Sequence, residues 1–91
     1  MSASDQVVRT IELDDRVAVE LAGEQDSVLR ALEERLALEI SLRGNRLTLE
    51  GEEGRVSAAA EVVGEFAELV RLGRSVAPGT IDTIADAIEG A

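Results

Sequence analysis

The sequence predicts an α+β domain: a three-stranded antiparallel sheet with helices packed on one face, plus a C-terminal helix. Three observations lead there. Segments 38–43 and 46–50 alternate apolar and polar residues on either side of Gly44-Asn45, the pattern of a tight hairpin. Segment 7–13 alternates in the same way and supplies a third strand. Further along, apolar residues recur at helical spacing in three segments. At 91 residues and 45% apolar content, one domain with one modest core is expected, burying roughly 60–65% of the unfolded surface.

In the first strand Val7, Arg9, Ile11 and Leu13 share one face, and Val8, Thr10 and Glu12 the other. Asp14-Asp15 ends it as a turn or a helix cap. Segment 16–22 is ambiguous on its own. Val17, Val19 and Leu21 alternate like a strand, yet Val17 and Leu21 also stand one helical turn apart. Gly23 closes it in either case. A helix follows, capped by Asp26 or Ser27, with Val28, Leu29, Leu32 and Leu36 as its apolar stripe and Arg30–Glu34 as an i,i+4 pair. The hairpin register then places Leu42 opposite Leu47 and Ile40 opposite Leu49. Its other face carries Arg43–Arg46, Ser41–Thr48 and Glu39–Glu50. Gly51 is expected to end the hairpin.

A long helix over about 53–72 carries Val56, Ala59, Ala60, Val63, Phe66, Ala67 and Val70 at helical spacing, with Gly73 as its C-cap. Pro78 opens a last helix with Ile81, Ile84, Ala85 and Ile88 on one face. Those isoleucines need a surface, whether the domain itself, a neighbouring chain or the absent ATPase, and Ile81, Ile84 and Ile88 are expected to pack between modules or protomers. The organisation is a disordered tail over 1–6, a domain over 7–72, and a linker with a C-terminal helix over 73–91.

Composition removes several function classes. The chain has no Cys and no His, so disulfides, thiolate nucleophiles, imidazole bases and the usual zinc sites are excluded. Nineteen acidic residues face nine basic ones, all Arg, for a net charge of −10; this opposes strong non-specific phosphate binding. The adjacent carboxylates Asp14-Asp15, Glu33-Glu34 and Glu52-Glu53 diverge by roughly 100° on a helix and read as solvated surface. No nucleophile–base constellation is present, so no enzyme and no metal are expected. No apolar run approaches a membrane span and no signal-peptide pattern opens the chain, so a cytoplasmic location and no membrane partner are expected.

The order of elements resembles a type I KH domain, a single-stranded nucleic-acid-binding fold. Ile11 and Leu13 fit its first strand, and Gly23-Glu24-Gln25-Asp26 falls at its Gly-x-x-Gly loop. Leu29 and Leu32 match its helix pair, Ile40 its next strand, Leu49-Glu50-Gly51 the hairpin end, and Val56 with Ala59 the last helix. On this resemblance segment 16–22 becomes a short helix. The chain resembles still more the N-terminal domain of PhoH-like proteins, a family of P-loop ATPases. Leu-Asp-Asp at 13–15, Leu-Ala-Gly-Glu-Gln-Asp at 21–26, Leu-Glu-Glu-Arg-Leu at 32–36, Arg-Gly-Asn at 43–45, the Leu-Thr-Leu-Glu-Gly ending at 51, and Val-Ala-Pro before the Ile-rich helix carry that resemblance. The phosphate loop G-x-x-x-x-G-K-S/T is absent, and there is no Lys. The resemblance is therefore to the accessory module alone, with ATP and Mg belonging to the ATPase domain that follows in that family.

The resemblance implies an RNA- or anion-binding set of Gly23, Glu24, Gln25, Asp26 and nearby Arg30. A KH loop clamps phosphates through its glycines; here one glycine remains and Glu24 and Asp26 add negative charge. Arg43 and Arg46 join the set because like charges opposite each other on a hairpin invite an anion. The implied function is a non-catalytic accessory module that helps RNA engagement or positions the ATPase in an oligomer. Its expected partners are the PhoH-like ATPase domain or sister protomers of a homo-oligomer, and single-stranded RNA. The alternative is a free-standing protein-interaction or oligomerisation domain without RNA binding.

Overall fold

The computed structural model describes residues 6–90. In chain order it comprises β1 (Gln6–Glu12), α1 (Asp15–Ala22), a single 3-10 turn (Glu24–Asp26), α2 (Ser27–Leu36), β2 (Glu39–Arg43), β3 (Arg46–Glu52), α3 (Glu53–Arg71) and α4 (Pro78–Gly90). The tail predicted over 1–6 lies outside the described residues, except for Gln6, which opens β1. The sheet order is β1-β3-β2, antiparallel throughout.

The hairpin follows the predicted register pair for pair, from Arg43 opposite Arg46 to Glu39 opposite Glu50. Gly44 takes φ 59° while Asn45 stays out of the left-handed region. That is the glycine-first form of primed turn, which matches the twist of the flanking strands. The β2–β3 ladder ends with Glu39 opposite Glu50, so the hairpin stops before Gly51 as expected. β3 continues through Glu52, and Gly51 pairs with Val7 of β1. A Cβ at Gly51 would sit 3.0 Å from the Leu38 Cβ, so the glycine admits a close approach inside the strand rather than breaking it.

Segment 16–22 is helical because burial follows the turn and not the alternation. Val17, Ala18 and Leu21 are buried, while Val19 is 69% exposed. Leu47 and Leu49 of β3 are fully buried on the face where α3 packs, and Val8 and Thr10 on the opposite sheet face are exposed. Phe66 sits at the centre of this core, with Leu21, Leu32, Val56 and Val62 also fully enclosed. Val62 joins the face predicted for α3. That helix ends in a Schellman motif, with Gly73 at φ 77° donating to the Val70 carbonyl and Arg74 to Leu69.

The expectation for the last helix is corrected. Ile81, Ile84 and Ala85 are buried, and Ile88 partly so, within the domain's own core, where α4 packs on α2 and α3. The face assigned to a partner is thus covered by the chain itself. Arg35 of α2 fixes this packing: its guanidinium donates to Asp82 (3.1 Å), Asp86 (2.6 Å) and Glu89 (2.9 Å) of α4. Hydrogen bonds to Asp86, Glu89 and Asp82 hold Arg35 above its ordinary pKa.

Candidate nucleic-acid interface

The loop between α1 and α2 holds four of the predicted residues. Gly23 takes φ 66° and ψ −162°, a region open essentially to glycine alone. A Cβ there would lie 2.7 Å from Cγ2 of buried Val28. Gln25 (φ 53°, ψ 39°) and Asp26 (φ 61°, ψ 26°) are both left-handed. The backbone at Asp26 thus has the conformation a glycine would favour, although the residue is not one. Asp26 occupies the N-cap position of α2, but its side chain makes no capping bond. Glu24, Gln25, Asp26 and Arg30 are all exposed, and the Arg30–Glu34 pair predicted on α2 is not among the ion pairs of the described residues.

Arg43 and Arg46 do face each other across the hairpin. Arg46 is already engaged, donating through Nε to Glu12 Oε2 of β1 at 2.9 Å. The neutralising neighbour is Glu12, which the register places directly opposite Arg46. The hairpin tip is also tied to the start of α1. Leu13 N–H donates to the Asn45 carbonyl at 2.8 Å, and the Asn45 amide donates to Asp15. Since the Gly23 loop follows the other end of that eight-residue helix, about 12 Å of helix separates the two places. The predicted residues therefore form two patches and not one site.

Sequence reasoning missed what lies between α2 and β2. A groove of about 340 Å³ is lined there by Glu33, Glu39, Ile40, Ser41, Thr48 and Glu50. β2 is an edge strand, and in a hairpin closed by Arg43 and Arg46 alternate residues point their backbone groups away from β3. Ile40 is one of these. Its N–H donates to Glu33 Oε2 at 3.1 Å, so a carboxylate occupies the free edge. Three glutamates in one groove repel a phosphate backbone. The sequence signal was available in Glu33, in the last turns of a helix that leads directly into an edge strand. Among the described residues, no group of three or more acidic side chains is arranged to hold a metal ion, and no helix is long and apolar enough to cross a membrane.

No family model matches the chain. It is 37% identical over 79 residues to the PhoH-like proteins of Mycobacterium bovis and Mycobacterium tuberculosis, covering 87% of the chain and 22% of each relative. A PhoH-like protein of Mycobacterium leprae is 34% identical over 80 residues, covering 88% of the chain and 23% of that protein. The chain thus spans about a fifth of the length of these relatives. Among solved structures, the 14th KH type I domain of human Vigilin superposes with a TM-score of 0.70 at 17% identity, covering 85% of this chain and 87% of that one. A chain of the a/eIF2alpha–aDim2p–rRNA complex from Pyrococcus horikoshii superposes with a TM-score of 0.72 at 16% identity, covering 98% and 50%. The chain is a KH-like domain of type I architecture, homologous to the N-terminal part of PhoH-like proteins.

Proposed function

We propose that this domain is a non-catalytic accessory module of a cytoplasmic PhoH-like ATPase, acting through protein contacts that position the ATPase in its oligomer rather than by clamping RNA. The observation that carries this reading is the α2–β2 groove, lined by Glu33, Glu39 and Glu50 with Glu33 already bonded to the edge strand. The rest of the surface supports it. Glu24 and Asp26 stand in the α1–α2 loop, Arg46 is paired with Glu12, and the net charge is −10. ATP and Mg are handled by the ATPase domain, and neither this module nor its surface takes part in that chemistry.

The second reading is RNA engagement. It draws on the similarity to a chain from an rRNA complex, and it would use Gly23, Gln25, Arg30, Arg43 and Arg46. A free-standing interaction domain is the third. Titrating the domain onto the ATPase part of a PhoH-like protein, with mass followed by light scattering, tests the first. The proposal expects a complex of fixed stoichiometry and a changed oligomer mass. Two unchanged masses would overturn it.

A further inference from the structure

Four of the nine arginines, Arg35, Arg46, Arg55 and Arg71, are paired with carboxylates among the described residues. This leaves Arg9, Arg16, Arg30, Arg43 and Arg74 without an ion pair there. Arg16 and Arg74 line the same cavity, about 310 Å³ between α1, the end of α3 and the following linker. In a chain with twice as many carboxylates as guanidinium groups, two uncompensated arginines in one concavity are unexpected. Of the nearby acids, Asp14 and Glu68 are both held by Arg71, and Glu20 shares the cavity wall without an ion pair to either arginine.

Local structure makes the placement costlier still. Arg16 is the second residue of α1, where the helix dipole disfavours a cation. The cavity also contains Ser75 and Val76 of the linker. Gly73 and Arg74 N–H groups are consumed by the Schellman motif, and Ala77 N–H donates to Thr80 Oγ1. The N–H groups of Ser75 and Val76 have no protein acceptor among the described residues. Arg16, Arg74, Ser75 and Val76 thus line one concavity and carry two guanidinium groups, a hydroxyl and two backbone amides without protein acceptors among the described residues. Glu20 is the single opposing charge on its wall.

We infer that Arg16, Arg74 and Ser75 form a binding site for a phosphate dianion, free or carried as a monoester. Guanidinium forks bind such oxyanions with charge-assisted hydrogen bonds, and backbone amides supply the remaining donors. The site is separate from the α2–β2 groove and from Arg43 and Arg46, and it does not depend on the accessory role proposed above. Glu20 tunes its affinity downward.

The test is a 15N NMR titration of the 91-residue chain with inorganic phosphate, and separately with adenosine 5′-monophosphate, at ionic strength held constant with NaCl. Saturable shifts are expected at the Ser75 and Val76 amides and at the Arg16 and Arg74 Nε–H groups. Arg16→Gln and Arg74→Gln should each weaken binding about tenfold or more, while Glu20→Gln tightens it several-fold. Arg9→Gln serves as the surface control and leaves the affinity unchanged. Equal affinities for the two probes identify free phosphate as sufficient, and tighter binding of the nucleotide identifies a monoester. All these variants are at exposed positions, and undisturbed spectral dispersion shows that they fold. Absence of saturable shifts with either probe, or shifts that survive both arginine variants, overturns the inference.

Discussion

Gly23 and Gly44 stand in two loops that a KH-like domain presents, and their φ angles are nearly equal at 66° and 59°. Their surroundings differ. A Cβ added at Gly44 would meet nothing within 4 Å, whereas at Gly23 it would strike Val28 Cγ2 at 2.7 Å and Ser27 Oγ at 3.0 Å. The hairpin glycine serves the backbone alone. The α1–α2 glycine serves the backbone and also lets buried Val28 pack against the loop. A glycine in the α1–α2 loop is therefore explained by packing, without a ligand. The two loops also differ in the residues after the glycine. Asn45 avoids the left-handed region, while Gln25 and Asp26 are both held in it.

Four substitutions, measured by urea denaturation, probe this contrast. Gly23→Ala should destabilise most, by about 3 kcal/mol, combining a backbone region closed to alanine with a clash in the core. Gly44→Ala should cost only about 1 kcal/mol, the left-handed penalty without a clash. Equal losses at the two sites would remove the distinction between them. Gln25→Gly should stabilise by about 0.5–1 kcal/mol, because it relieves a side chain held at positive φ. Asp26→Gly should change stability least, by about 0.3 kcal/mol, since aspartate tolerates the left-handed region and gains no cap bond to lose. A large loss from either of the last two would mean that the loop's side chains make contacts the structure does not contain.

The hairpin was legible because strand period, turn dipeptide and apolar pairing all agree there, so every cross-strand pair could be named in advance. Segment 16–22 was legible as a helix through the KH resemblance and not from its pattern, since seven residues fit both periods. The decision came from tertiary packing, which buries Ala18 and exposes Val19. Gly51 was legible as the end of the hairpin, but not as a residue inside β3 that pairs with Val7 and admits Leu38. The same holds for α4. Its apolar stripe announced that something covers Ile81 and Ile84 without saying that α2 and α3 do. Arg35 escaped notice because its partners lie 47–54 residues away. The acidic row Asp82, Asp86 and Glu89 beside that stripe was the available signal. Of the candidate site, the residue types were legible and the geometry was not. Nothing in the sequence says that α1 separates Arg43 and Arg46 from Gly23, or that Glu33 reaches Ile40 N–H.

We propose that this KH-like fold does not use its groove for RNA. It is tested most directly by titrating single-stranded RNA onto the domain at two salt concentrations. No saturable binding is expected at either, because the α2–β2 groove and the α1–α2 loop both present carboxylates to the phosphates. Saturable binding that weakens with salt, and weakens further in Arg43→Ala plus Arg46→Ala, would contradict it.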